Sequence, residues 1–110
     1  MYEYRAKLIR VVDADTFDVD LDLGFNVHTH ARLRLSGVDA PEVGTDEGAR
    51  ATQIVTDWLV TGTEMVVRTR KTRKGTDGKD LYGRYVATVT VNGVSVNQFL
   101  LDNGLAQPYK

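Results

Sequence analysis

This sequence contains no cysteine, which excludes disulfides and thiolate metal sites and says little about compartment. No apolar run approaches the roughly eighteen residues that a membrane-spanning helix needs. The start, Met1-Tyr2-Glu3-Tyr4-Arg5, lacks the basic-then-apolar pattern of a secretory signal. A cytoplasmic protein without membrane association is therefore the expectation, although a mature secreted form with an added Met1 would look the same. Histidine is scarce, with only two in the chain. His28 and His30 share one face of a strand and could serve as ligands or acid–base groups, but no third histidine joins them and their place near a turn favours solvated side chains. Net charge is close to absent, at −1 from 14 basic and 15 acidic residues. That balance does not exclude a polyanionic partner, because distribution matters more than the sum. Asp13, Asp15, Asp18, Asp20 and Asp22 crowd one short region, and Arg68, Arg70, Lys71, Arg73 and Lys74 another. These are either two solvated faces or the separate patches that a protein binding both a cation and a polyanion requires.

At 110 residues the chain is one domain with one core. Its hydrophobic fraction of 42% and charged fraction of 26% are those of a globular protein. A first strand runs from near Tyr4 to Val12. From Thr16 to Leu23, Phe17, Val19, Leu21 and Leu23 alternate with Thr16, Asp18, Asp20 and Asp22, the pattern of a strand with one face buried. Asp18-Val19-Asp20-Leu21-Asp22 superficially resembles an EF-hand opening, but Leu23 occupies the required glycine position and Thr29 the final glutamate position. Gly24 to Asn26 forms a turn, and His30 to Val38 the third strand. From Asp46 to Val60 the period becomes helical through Ala49, Ile54, Val55, Trp58 and Leu59, with Thr45 or Asp46 as N-cap and Gly62 as a stop. Trp58 falls on the apolar stripe and is assigned to the core. Glu64 to Arg70 is the fourth strand, Lys71 to Asp80 a basic loop, and Tyr85 to Val91 the fifth strand. Asn92-Gly93 signals a tight hairpin. Ser95 with Gln98 resembles a capping box opening a short helix that Gly104 closes. The order suits a mainly β, α+β fold: a five-stranded Greek-key barrel of the OB type, with a helix between strands three and four and a short C-terminal helix.

The chemistry concentrates around Val38-Asp39-Ala40-Pro41-Glu42. The preceding run, Arg32-Leu33-Arg34-Leu35, puts two guanidiniums on one face of a strand. Pro41 disfavours helix at the residue before it. Asp15 and Asp39 sit at strand ends that a barrel could bring together, and oxygen ligands favour calcium, magnesium or manganese over zinc or copper. Asp15 alone could equally be a turn residue. Arg34 and Arg84 can each clamp a phosphate bidentately, or be ordinary surface strand residues. Carboxylates for a cation plus planar cations for a phosphate are the parts required for metal-dependent phosphodiester cleavage.

Four blocks together resemble the staphylococcal nuclease (thermonuclease) family: Val12-Asp13-Ala14-Asp15-Thr16, Arg34 with Val38-Asp39-Ala40-Pro41-Glu42, Asp80-Leu81-Tyr82-Gly83-Arg84, and Asn97 to Leu105-Ala106. The resemblance runs from about Ala6 to Tyr109. It implies a calcium cofactor held by Asp15, Asp39 and the main-chain carbonyl of Ala40. It implies Glu42 as general base, and Arg34 and Arg84 as the arginines that hold the phosphate, with Arg84 nearest the leaving oxygen. It further implies Tyr82 against a terminal phosphate and Tyr109 near the nucleotide. Apart from the resemblance, the basic patch places Lys71, Arg73 and Lys74 along a single-stranded DNA or RNA substrate, and a monomer is expected. The expected reaction cleaves the 5′ P–O bond of DNA and RNA and leaves 3′-phosphate ends. The rival expectation is a non-catalytic single-strand-binding module on the same barrel; retention of Arg34, Glu42 and Arg84 together favours the enzyme. Three departures from the family pattern stand out. Ala14 and Ala40 replace a glycine and a threonine, the segment after Glu42 is short, and the family's C-terminal helix is missing after Lys110.

Overall fold

Alternating burial along the strands sets the architecture of the computed structural model, which describes residues 2–42, 44–69 and 85–109. Strand β1 (Tyr2–Asp13) is long enough to serve two neighbours. It pairs antiparallel with β2 (Thr16–Asp22) and, over its first half, with β5 (Glu64–Thr69). Irregularities in register between Leu8 and Arg10, and between Val11 and Asp13, bend it so that it can wrap. β3 (His28–Leu35) pairs with β2, and β6 (Tyr85–Val91) pairs with β5. A parallel pairing of Leu33, Arg34 and Leu35 with Tyr85, Val86 and Ala87 joins β3 to β6 and closes a five-stranded barrel. This is the OB-type topology expected from the sequence. Phe17, Val19, Leu33, Leu35, Val67 and Val89 fill its interior, each almost wholly removed from water.

Two short pieces depart from the expected boundaries. The third strand stops at Leu35 instead of continuing to Val38, because Gly37 adopts φ +73, a left-handed conformation that residues with a Cβ avoid. The chain turns at Ser36-Gly37 and resumes as β4 (Val38–Asp39), which pairs with β8 (Gln107–Pro108) in a separate two-stranded sheet. Helix α1 (Asp46–Trp58) ends before Val60: the Leu59 N–H returns to the Val55 carbonyl, and Gly62 lies in the turn that follows, at φ +89. Its N-cap is Thr45, whose hydroxyl accepts the Gly48 N–H at 3.0 Å. The buried stripe is Gly48, Ala51 and Val55, with Ala49 exposed. Trp58 is only partly buried, stacked against Phe99 of helix α2 (Val96–Asp102) at 4.2 Å between ring centroids. β7 (Val94–Ser95) completes the Asn92-Gly93 hairpin, whose two turn residues both take positive φ. Ser95 caps α2 as expected, but Gln98 bonds forward to Asp102 rather than completing a capping box. Among the described residues no helix is long and apolar enough to cross a membrane.

Candidate active site

The β1–β2 turn delivers Asp15 into the protein rather than into solvent. Its residue is 7% exposed, which no surface turn aspartate needs to be. One carboxylate oxygen accepts the Thr16 hydroxyl at 3.0 Å, and the other accepts the Ala40 N–H at 2.9 Å. The main chain is fixed as well, since the Leu35 N–H donates to the Asp15 carbonyl at 2.8 Å. Arg34 arrives because β3 runs beside β2 with Arg34 opposite Thr16. Its side chain is 14% exposed and donates to the Leu35 carbonyl at 2.9 Å. One guanidinium nitrogen lies 3.2 Å from Asp15 and a second 3.4 Å from Asp39. Two carboxylates from separate elements therefore grip one planar cation. Such a fork fixes orientation in a way that an ammonium could not.

The Gly37 turn swings Asp39 towards this cluster, leaving its side chain 61% exposed and open to a ligand. Pairing with β8 holds it there, and the Tyr109 N–H donates to the Gly37 carbonyl at 3.0 Å. Tyr109 in turn sits over Arg34, with the guanidinium carbon 5.7 Å from the ring centroid. Glu42 lies two residues beyond Ala40, within about 7 Å of chain, and is exposed. Among the described residues its carboxylate has no ion-pair partner. Asp15, Arg34, Asp39, Ala40 and Tyr109 are thus brought together, with Glu42 adjacent. Lys71, Arg73, Lys74, Tyr82 and Arg84 lie outside the described residues.

Two supporting residues escaped the sequence reading as contributors. Thr16 presents its hydroxyl to Asp15. Asn97, itself buried, accepts the Val89 N–H at 3.0 Å and donates to the Ser36 carbonyl at 2.8 Å and the Ala87 carbonyl at 3.2 Å. It ties α2 and β6 to the turn that aims Asp39. A buried polar side chain with several partners fixes geometry better than apolar packing does, but nothing in its sequence position announces those partners.

The acidic crowd seen in the sequence is divided by the strand's alternation. Asp18, Asp20 and Asp22 occupy the outer face of β2, away from Asp15. Asp18 accepts from Arg32 at 2.8 Å and Arg10 at 2.9 Å. Those hydrogen bonds, Arg32's foremost, hold its carboxyl below the usual aspartate range against the opposing pull of burial. His28 and His30 are both substantially exposed, with Asp20 at 3.4 and 4.0 Å. Among the described residues no three His, Cys, Asp or Glu side chains gather so as to hold a metal ion. An ion at Asp15 and Asp39 would therefore draw on main-chain carbonyls and water for the rest of its shell. The donors are all oxygen, which fits a hard cation and not zinc or copper.

The family model described as "Staphylococcal nuclease homologue" matches residues 32–110. A protein of Escherichia coli O157:H7 named "Uncharacterized endonuclease" is 30% identical over 109 residues, covering 98% of this chain and 63% of its own length. "Protein ParB" of Escherichia coli is 31% identical over 117 residues, covering 98% of this chain and 59% of its own. "Micrococcal nuclease" of Shigella flexneri is 27% identical over 117 residues, with 98% and 60% covered. The chain thus spans about three fifths of the length of these relatives. The family match begins at Arg32, so Asp15 is tied to the site by its contacts with Arg34 and Ala40. Barrel topology and the match over most of the chain agree that it belongs to the staphylococcal nuclease family.

Proposed function

We propose that this domain hydrolyses phosphodiester bonds in single-stranded DNA and RNA with calcium, breaking the 5′ P–O bond and leaving a 3′-phosphate and a 5′-hydroxyl. The observation that carries the reading is the Arg34 guanidinium, largely buried and held in one orientation between Asp15 and Asp39. A fixed planar cation beside two carboxylates can meet a phosphate whose charge grows in the transition state. Calcium held by Asp15, Asp39 and the Ala40 carbonyl would neutralise phosphate charge and acidify a bound water. Glu42 takes a proton from the attacking water as the new P–O bond forms. Arg34 stabilises the equatorial oxygens, and Arg84 serves the departing 5′-oxygen, which takes a proton from solvent as the P–O bond breaks and leaves as the hydroxyl. Tyr109 and Tyr82 stack or contact the nucleotide, while Lys71, Arg73 and Lys74 follow the phosphates of the flanking strand.

The test is a gel assay of labelled single-stranded DNA and RNA with calcium, with magnesium and with chelator. Cleavage in calcium, weak cleavage in magnesium and none in chelator are expected, because magnesium demands stricter octahedral geometry. Binding without cleavage in every lane would instead identify a non-catalytic binding module.

A further inference from the structure

We propose that Thr45 and Gly48, at the N-terminus of α1, are positioning residues that set the main chain of Glu42 for catalysis. The inference rests on the reading of Glu42 as general base. Glu42 is exposed, and its carboxylate has no partner among the described residues to orient it. Its main chain, by contrast, is held. The Glu42 carbonyl accepts the Thr45 hydroxyl at 2.7 Å and the Thr45 N–H at 3.3 Å. The same hydroxyl oxygen accepts the Gly48 N–H at 3.0 Å. One side chain thus caps the helix and clamps the preceding carbonyl.

Gly48 completes the clamp through what it lacks. A Cβ on Gly48 would collide with the Glu42 carbonyl oxygen, far inside van der Waals contact, and lie 2.9 Å from the carbonyl carbon and 3.0 Å from the Thr45 hydroxyl. Its neighbours there are mainly main chain, which cannot swing aside as a side chain can. Gly48 is also buried and has an ordinary negative φ. Conformational freedom therefore does not explain a glycine that costs a helix about 1 kcal/mol relative to alanine. Close approach of the Glu42 carbonyl does explain it. With a short segment between Glu42 and the helix, the helix N-terminus takes over the placement of the base.

The experiment compares Thr45→Ala, Thr45→Ser, Gly48→Ala and Glu42→Ala, with Ile54→Val as a control that weakens α1 away from its cap. Cleavage kinetics at saturating calcium are read beside the carbonyl carbon resonance of Glu42. Thr45→Ala is expected to lower kcat by about tenfold or more with KM little changed, and Gly48→Ala by about a hundredfold, the size of effect that a misplacement near 1 Å produces. Thr45→Ser retains both hydroxyl hydrogen bonds, so it should restore kcat and the Glu42 resonance. Ile54→Val should leave both unchanged. If Glu42→Ala is inactive while Thr45→Ala shifts the resonance at wild-type kcat, the positioning inference is overturned. Wild-type turnover in Glu42→Ala would overturn the base assignment itself, and the inference with it.

Discussion

Arg34 is the residue on which the candidate site turns, since its guanidinium reaches both Asp15 and Asp39 and lies against the Tyr109 ring. Arg34→Lys keeps the charge but cannot offer one nitrogen to Asp15 and the Leu35 carbonyl and a second, in the same plane, to Asp39. Its kcat should fall by about 10²–10³-fold, as when one fixed transition-state donor is removed, and steady-state kinetics at saturating calcium would reveal near-wild-type turnover if the fork were dispensable. The same contacts reverse an argument that the sequence alone invites. Converging carboxylates suggest a metal-free state strained by repulsion, in which Asp15→Asn would do no harm. Because Arg34 lies between them, Asp15 instead completes a compensated buried pair. Asp15→Asn should destabilise the metal-free protein by about 1–3 kcal/mol, lowering its melting temperature by roughly 5–15 °C; a thermal melt in chelator at or above the wild-type midpoint would refute this. At this scale the sequence displayed Asp15, Arg34, Asp39 and Glu42, because strand alternation and turn chemistry are local. It did not display Asn97 or Gly48 in their supporting roles, because those depend on partners distant in the chain or on a clash that is avoided, nor Thr16, whose neighbour Asp15 is itself turned inward only by the fold.

Among the elements, the two-residue strand β4 has the most influence for its size. It exists because Gly37 ends β3 early, and it stays in place through β8 on one side and Asn97 beneath Ser36. Removing Asn97's amide takes its partner from the Val89 N–H and from the Ser36 carbonyl, while the Ala87 carbonyl keeps the Ser36 N–H. Asn97→Ala should cost about 1–3 kcal/mol for each main-chain group left unpaired, and it should weaken calcium binding because Ser36-Gly37 is then free to move Asp39. Denaturant unfolding together with calcium titration followed by melting temperature reads both effects; loss of stability with unchanged calcium response would confine Asn97 to the core. Long, strongly alternating strands such as β2 were legible in the sequence, as was α1 to within its last turn. β4 and β8 were not, since a two-residue strand has no period and is defined only by the segment across from it.

At the scale of the whole molecule, ion pairs link neighbouring strands among the described residues, and one of them carries a pH dependence. Asp18, held below its ordinary value by Arg32 and Arg10, is more acidic folded than unfolded. It therefore contributes stability above its unfolded pKa, near 3.9, and that contribution is lost as pH falls through the lower folded value. Asp18→Asn should be less stable than wild type at neutral pH, with the gap narrowing below about pH 4; a gap constant from pH 7 to 3, measured by urea unfolding, would exclude the linkage. The barrel's topology was legible because a meander, a helix and a hairpin leave few ways to close. The parallel seam that closes it was not, for the residues it joins lie far apart in the chain. That seam has a kinetic consequence. Pairing Leu33, Arg34 and Leu35 with Tyr85, Val86 and Ala87 is one of the barrel's two long loop closures, the other joining β1 to β5, and such distant contacts form late. Arg34 is itself a rung of the seam, so its guanidinium reaches its final setting only when the barrel shuts. In stopped-flow refolding, far-ultraviolet ellipticity should recover before cleavage activity, and simultaneous recovery would mean that the seam forms with the hairpins rather than after them.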